Sequence, residues 1–121
     1  MTEKNISNID SALTHMKAFS RVSLGTTQAI QQMREKVIFT DGVMPSKLKC
    51  LSAVLWSISA RCEPCIKFYV FKAKEAGATL EELGEMLSIA CTMGGCVGEM
   101  WALKAFQAYQ EKNEPPQACC E

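Results

Sequence analysis

Histidine is almost missing from this chain, with one imidazole, His15, in 121 residues. A zinc site built on a cysteine pair needs two further ligands, commonly a second Cys-x-x-Cys or two histidines, and neither is supplied. Net charge is missing too. Thirteen basic and thirteen acidic residues cancel, which removes the electrostatic case for a nucleic-acid partner. Strand signals are nearly absent: there is no sustained alternation and no Asn-Gly or Asp-Gly hairpin turn. No apolar run reaches a membrane span, since Cys50 to Ala60 is stopped by Arg61 and Met86 to Gly98 by Glu99. The start, Met-Thr-Glu-Lys-Asn, lacks the apolar stretch of a signal peptide. The expectation is a cytoplasmic protein with no membrane and no nucleic acid to bind.

Cysteine is what the chain has in excess, with seven residues, an odd number. A disulfide-stapled secreted mini-protein does not fit a signal-free start and a composition 48% hydrophobic. Cys50, Cys91 and Cys96 fall in apolar helical stretches, where a free cysteine behaves as a small hydrophobe. Cys62, Cys65, Cys119 and Cys120 look chemically available.

Apolar residues recur at helical spacing along most of the chain. Ile9, Ala12, Leu13 and Met16 make one face of a first helix ending near Ser20, with Val22 and Leu24 able to prolong it. After Gly25, Thr26 or Thr27 caps a second helix carrying Ile30, Met33 and Val37 and closing at Asp41-Gly42. Ser46 is the natural N-cap of a third, with Leu48, Leu51, Leu55 and Ile58 in a stripe. A fourth is expected to begin at Pro64, because Glu63 precedes a proline and Pro64 suits a first helical turn, and to stop at Gly77. Thr79-Leu80-Glu81-Glu82 reads as a capping box opening a fifth. Gly94, Gly95 and Gly98 interrupt the run and allow backbones to approach closely. A last helix then runs from Glu99 to about Glu111. The fold class is all-α, about six helices in one domain over residues 1–112, with a cysteine-bearing tail over 113–121. Two helices as apolar as the third and fourth are hard to cover with so few others, which predicts association between chains.

The chemistry centres on Arg61-Cys62-Glu63-Pro64-Cys65. Two thiols at this spacing close into a disulfide or hold one sulfur as a reactive thiolate. Cys65 falls in the first turn of the fourth helix, where free N–H groups and the helix dipole favour a negative sulfur, with Arg61 and Lys67 adding positive charge. A structural disulfide is the bland alternative, and a redox-active pair is the favoured reading.

From about Pro45 to Tyr109 the chain resembles the carboxymuconolactone decarboxylase superfamily, in particular its alkylhydroperoxidase D (AhpD)-like branch. The resemblance lies in the apolar helix ending in Cys62-x-x-Cys65, the helix closing with Glu75-Ala76-Gly77-Ala78-Thr79, then Leu80-Glu81-Glu82-Leu83, and the glycine-bearing Met93-Gly94-Gly95-Cys96-Val97-Gly98. It implies an all-helical domain in trimers or hexamers, with Cys65 as the attacking thiol and Cys62 as the resolving one. It also implies a small hydroperoxide substrate, reduction by an external dithiol or dithiol protein, and no required cofactor or metal. The chain departs from the branch at two relay positions. Cys50 stands twelve residues before the first cysteine where a glutamate belongs, and Tyr69 stands four after the second where a histidine belongs.

Replacement proton carriers are therefore sought nearby. Tyr69 is one, weighed evenly against a plain core aromatic; Glu99, an acid in an apolar stretch, is the other, with a structural salt bridge or a cap on the helix after Gly98 as its favoured reading. Cys50, Cys119 and Cys120 are auxiliary thiol candidates. The function expected is a thiol–disulfide oxidoreductase with alkylhydroperoxidase activity. The alternatives are a lactone decarboxylase, disfavoured by the cysteine pair and the scarcity of histidine, or a non-enzymatic redox-sensing oligomer.

Overall fold

The computed structural model describes residues 9–111, so Cys119 and Cys120 lie outside the described residues. Among the described residues the chain is all-α. A 3-10 turn, Ser11–His15, leads into α1 (Met16–Val22), α2 (Thr26–Val37), α3 (Ser46–Ser59), α4 (Glu63–Glu75) and α5 (Leu80–Gln110). The carboxylate of Asp10 accepts from the Ala12 N–H at 2.9 Å and starts the first turn.

Several helix ends are set by residues other than those expected. Neither Thr26 nor Thr27 caps α2; Gly25, in a left-handed conformation with φ 85°, holds that position. Thr26 is committed elsewhere, its hydroxyl donating to the Ser23 carbonyl at 2.7 Å. The second helix stops at Val37, and Asp41 instead serves α3 by accepting from the Ser46 N–H at 2.7 Å. Ser46 is thus the first residue inside α3 and not its cap, and its hydroxyl ties back to the Ile38 carbonyl at 3.0 Å. The fourth helix begins at Glu63, one residue before Pro64, with Cys62 extended at the cap. Preceding a proline biases a residue against the helix without forbidding it, and a carboxylate in the first turn suits the helix dipole.

The stop at Gly77 is as the sequence reads. Its φ is 98°, and the Gly77 and Ala78 N–H groups return to the carbonyls of Lys74 and Ala73 at 3.0 and 2.9 Å. That paired closure satisfies two carbonyls which would otherwise be orphaned. The capping box forms as well, with Glu82 N–H on the Thr79 hydroxyl at 3.1 Å and Thr79 N–H on the Glu82 carboxylate at 2.9 Å.

The fifth helix is two limbs, 80–94 and 96–110, broken at Gly95, where φ is 58° and ψ is −140°. Of the three glycines only Gly95 leaves helical geometry, and the second limb starts ahead of the expected Glu99. The turn is sharp. A Cβ on Gly98 would collide with the carbonyl oxygen of Ala90, and the Tyr109 hydroxyl donates to Ala78 O at 2.8 Å. A straight helix of this length would hold those two ends roughly 45 Å apart, so the limbs form a hairpin. By length and composition Leu80–Gln110 is apolar enough to cross a membrane. Folded at Gly95, each limb reaches only about 22 Å, short of a hydrocarbon core of roughly 30 Å.

The core lies between α3, α4 and the α5 hairpin. Val54, Ile66, Phe68, Val70 and Leu83 are buried almost completely, and Phe68 packs edge-on to Tyr69 and to Phe39. Leu13, Ile38 and Phe39 join this core from the N-terminal side.

Candidate redox site

The site is made by how α3 ends. Arg61 adopts the left-handed conformation, φ 56°, that usually falls to glycine. Its N–H and that of Cys62 return to the carbonyls of Ile58 and Ser57, both at 3.0 Å, closing α3 and reversing the chain at once into α4. A side chain in this conformation carries strain of roughly 1–2 kcal/mol. The gain is position: Cys62 becomes the cap of α4 and Cys65 its third residue. The two are joined as a disulfide, with Cα atoms 5.2 Å apart. Both are half-buried, between solvent and core.

Glu63, between the cysteines, is held by two lysines. Its carboxylate lies 3.2 Å from Lys104 Nζ, on the second limb of α5, and 3.7 Å from Lys67 Nζ. The acid nearest the pair in sequence is thereby occupied in ion pairs at a partly exposed surface.

Cys65 lines a cavity of about 480 Å³, and Cys62 does not. The walls are largely apolar, with Val37, Ile38, Met44, Ala53 and Trp56 prominent. Tyr69 faces the same space one helical turn after Cys65, as the i to i+4 spacing requires. Its hydroxyl accepts from Arg34 Nε at 2.7 Å, across 35 residues of sequence. Arg34 is the residue that sequence reading missed. It occupies a polar position on an amphipathic helix, and no local signal announces that it reaches Tyr69.

Other candidates sit elsewhere. Cys50 is buried in α3, its sulfur 3.9 Å from the Ser46 hydroxyl, beside a second cavity with Lys47, Lys72 and Glu75. Burial pushes the Cys50 thiol up from its ordinary value, partly offset by the Ser46 hydrogen bond and by Lys72. Glu99 is exposed on the second limb of α5 and does not line the cavity that holds Cys65. Cys91 and Cys96 are free thiols. Among the described residues no three His, Cys, Asp or Glu side chains gather as metal ligands would. A larger apolar groove of about 660 Å³ runs between α3 and α5 past Trp56, Met93, Val97 and Trp101, with Arg61 beside it, and neither cysteine of the pair lines it.

A kinked helical hairpin packed on a cysteine pair at a helix start defines a class. The sequence profile of the carboxymuconolactone decarboxylase family matches residues 25–108. The chain belongs to the carboxymuconolactone decarboxylase family, within its AhpD-like superfamily. The match takes in α2 and Arg34, which the resemblance read from Pro45 onward leaves out. An uncharacterised protein of Cupriavidus necator is 34% identical over 98 residues, spanning 81% of this chain and 76% of that one. Uncharacterised protein 4 in the cox locus of Paracoccus denitrificans is 33% identical over 76 residues, 63% of this chain and 68% of its own. Among solved structures, a carboxymuconolactone decarboxylase family protein from Legionella pneumophila, in its apo form, superposes with a TM-score of 0.73. It is 28% identical, over 90% of this chain and 96% of that one.

Proposed function

We propose that the chain is a thiol–disulfide oxidoreductase with alkylhydroperoxidase activity, working through Cys65 and Cys62. The observation that carries this reading is the placement of Cys65: in the first turn of α4, bonded to Cys62, and on the wall of an apolar cavity. In the reduced protein the start of α4 favours the Cys65 thiolate. That sulfur attacks the outer oxygen of a hydroperoxide; the S–O bond forms as the O–O bond breaks, and the alcohol leaves with a proton. The Cys62 thiol then displaces water from the Cys65 sulfenic acid and closes the disulfide. An external dithiol, free or carried by a reductant protein, restores both thiols and is itself oxidised.

These steps use no bound metal, flavin or haem. The apolar walls suit a small organic hydroperoxide. The working form is a homo-oligomer, a trimer or hexamer as in the AhpD-like branch. The support is an exposed apolar stripe, Ile89, Met93, Val97, Met100, Leu103 and Phe106, along the α5 hairpin. The cytoplasm, where dithiol reductants are maintained, is the matching compartment.

The test is peroxide turnover with dithiothreitol as reductant. The wild type is expected to turn over and Cys65→Ser to be inactive, while Cys62→Ser, reduced, freed of dithiothreitol and then given peroxide, is expected to stop after one equivalent with a sulfenic acid trapped by dimedone. Turnover persisting in both variants would overturn the reading.

A further inference from the structure

The ionisable groups lining the cavity at Cys65 are Arg34, Lys49, Cys65 and Tyr69; no carboxylate and no imidazole is among them. Glu63 is held outside by Lys67 and Lys104. Lys49 directs its ammonium to the loop before α3, donating to the Thr40 carbonyl at 2.9 Å. Tyr69 remains, one turn from the reacting sulfur, with a guanidinium on its oxygen. A cation hydrogen-bonded to a phenol stabilises the phenolate that forms when the phenol gives up its proton. An alkoxide leaving group needs such a proton badly, since an alcohol is about as weak an acid as water and far weaker than a phenol. A phenol, with a pKa of about 10, is acid enough to supply it.

We propose that Tyr69 is the acid of the peroxide step and that Arg34 is the positioning residue that holds it and takes up the charge. The inference rests on the peroxidase reading above and names how that site handles its proton. As the Cys65 thiolate takes the outer oxygen, the O–O bonding pair goes to the alkoxide oxygen, which receives the Tyr69 proton and departs as the alcohol. The Tyr69 phenolate, paired with Arg34, takes a proton back from the Cys65 thiol when the dithiol has reduced the disulfide. The cycle thereby returns to thiolate and phenol, with no proton left over.

The experiment compares two peroxides in single-turnover oxidation of the reduced protein, followed by Trp56 fluorescence, since Trp56 lines the same cavity. tert-Butyl hydroperoxide releases an alkoxide and needs the acid. Peracetic acid releases a carboxylate, with a pKa of about 4, and does not. Tyr69→Phe is expected to slow tert-butyl hydroperoxide about 100-fold, the lower end of general acid catalysis, and to leave peracetic acid within about 3-fold of wild type. Arg34→Gln is expected to show the same selectivity at about 10-fold, with Arg34→Lys recovering part of the loss. A merely structural role would slow both peroxides equally, because both must reach the same sulfur. Equal slowing, or none, in Tyr69→Phe while Cys65→Ser is dead overturns the inference and leaves the peroxidase reading standing. Oxidation that ignores Cys65→Ser removes both.

Discussion

The central helices and the N-terminal pair are built to different standards. In α3, α4 and α5 the apolar faces meet, and Val54, Ile66, Phe68 and Ala105 are closed off from solvent. In α1 and α2 only Met16 and Thr27 are buried, while Phe19, Val22, Met33 and Val37 stand exposed and Leu24, between the two helices, is 96% exposed. The arm touches the core near its two ends, through Leu13 before α1 and through Arg34, Ile38 and Phe39 at the close of α2 and just after it. Labour is divided between the two regions. The hairpin and its two partners make the fold, and the arm contributes one cation and one cavity wall to the site.

Truncating one aromatic in each region should give the largest difference. Phe68→Ala is expected to lower stability by about 3–5 kcal/mol, the range for a fully buried aromatic. Phe19→Ala, at a side chain 55% exposed, is expected to stay within about 0.5 kcal/mol of wild type. Urea unfolding reads both. A loss at Phe19 above about 1 kcal/mol that shrinks on dilution would mean the arm is packed against another copy, and the division would then hold only for the isolated chain.

Within the central region two helical glycines sharpen the contrast between tight and loose packing. At Gly98 an added methyl meets the backbone of Ala90, which cannot swing aside. Gly98→Ala is therefore expected to destabilise by about 1–3 kcal/mol. At Gly84 an added methyl meets nothing within 4 Å. Gly84→Ala is expected to stabilise by about 0.5–1 kcal/mol, because alanine loses less freedom than glycine on entering a helix. Opposite signs from the same change on one hairpin, read by thermal or urea unfolding, locate the close crossing. Two changes of equal sign would mean the limbs are not held against each other at Gly98.

Much of this was legible in the sequence. The helices, the capping box at Thr79 and the stop at Gly77 depend on residues within a few positions of each other, so local chemistry specifies them. The placement of Cys65 in a first helical turn was legible for the same reason. The hairpin was half legible: three glycines announce an interruption, but only packing selects Gly95 as the turn and Gly98 as the contact. The cap of α3 was misread because Ser46 lies inside the helix, its N–H bonded to Asp41 five residues upstream and its hydroxyl drawn back to the Ile38 carbonyl. The Arg34–Tyr69 contact was not legible at all. It joins residues 35 apart through a tertiary crossing, and an arginine on the polar side of an amphipathic helix looks like any solvated one. Glu99 misled in the other direction: an acid among apolar letters suggests burial, yet the apolar face it belongs to is exposed in the single chain.

The smallest expected effect concerns Cys50, which the fold buries in the central region just where that region meets the loop after α2. Burial raises the folded thiol's pKa above its unfolded value, with the Ser46 hydroxyl and Lys72 pulling the other way. A group whose folded pKa is raised gives its full stability below the unfolded pKa. Above roughly pH 8.5 the unfolded chain's Cys50 ionises while the buried one stays protonated, so stability falls as pH rises. For one proton the slope is at most about 1.4 kcal/mol per pH unit. Cys50→Ala is expected to be less stable than wild type at pH 7, through the small cavity left behind, but to decline less steeply between pH 8 and pH 10. Urea midpoints across that range give the comparison, and parallel declines would mean that Cys50 ionises in the folded chain as readily as in the unfolded one. A steeper wild-type decline would show that the Cys50 thiol is sealed as a neutral core group in the folded chain and takes no part in proton handling near neutral pH.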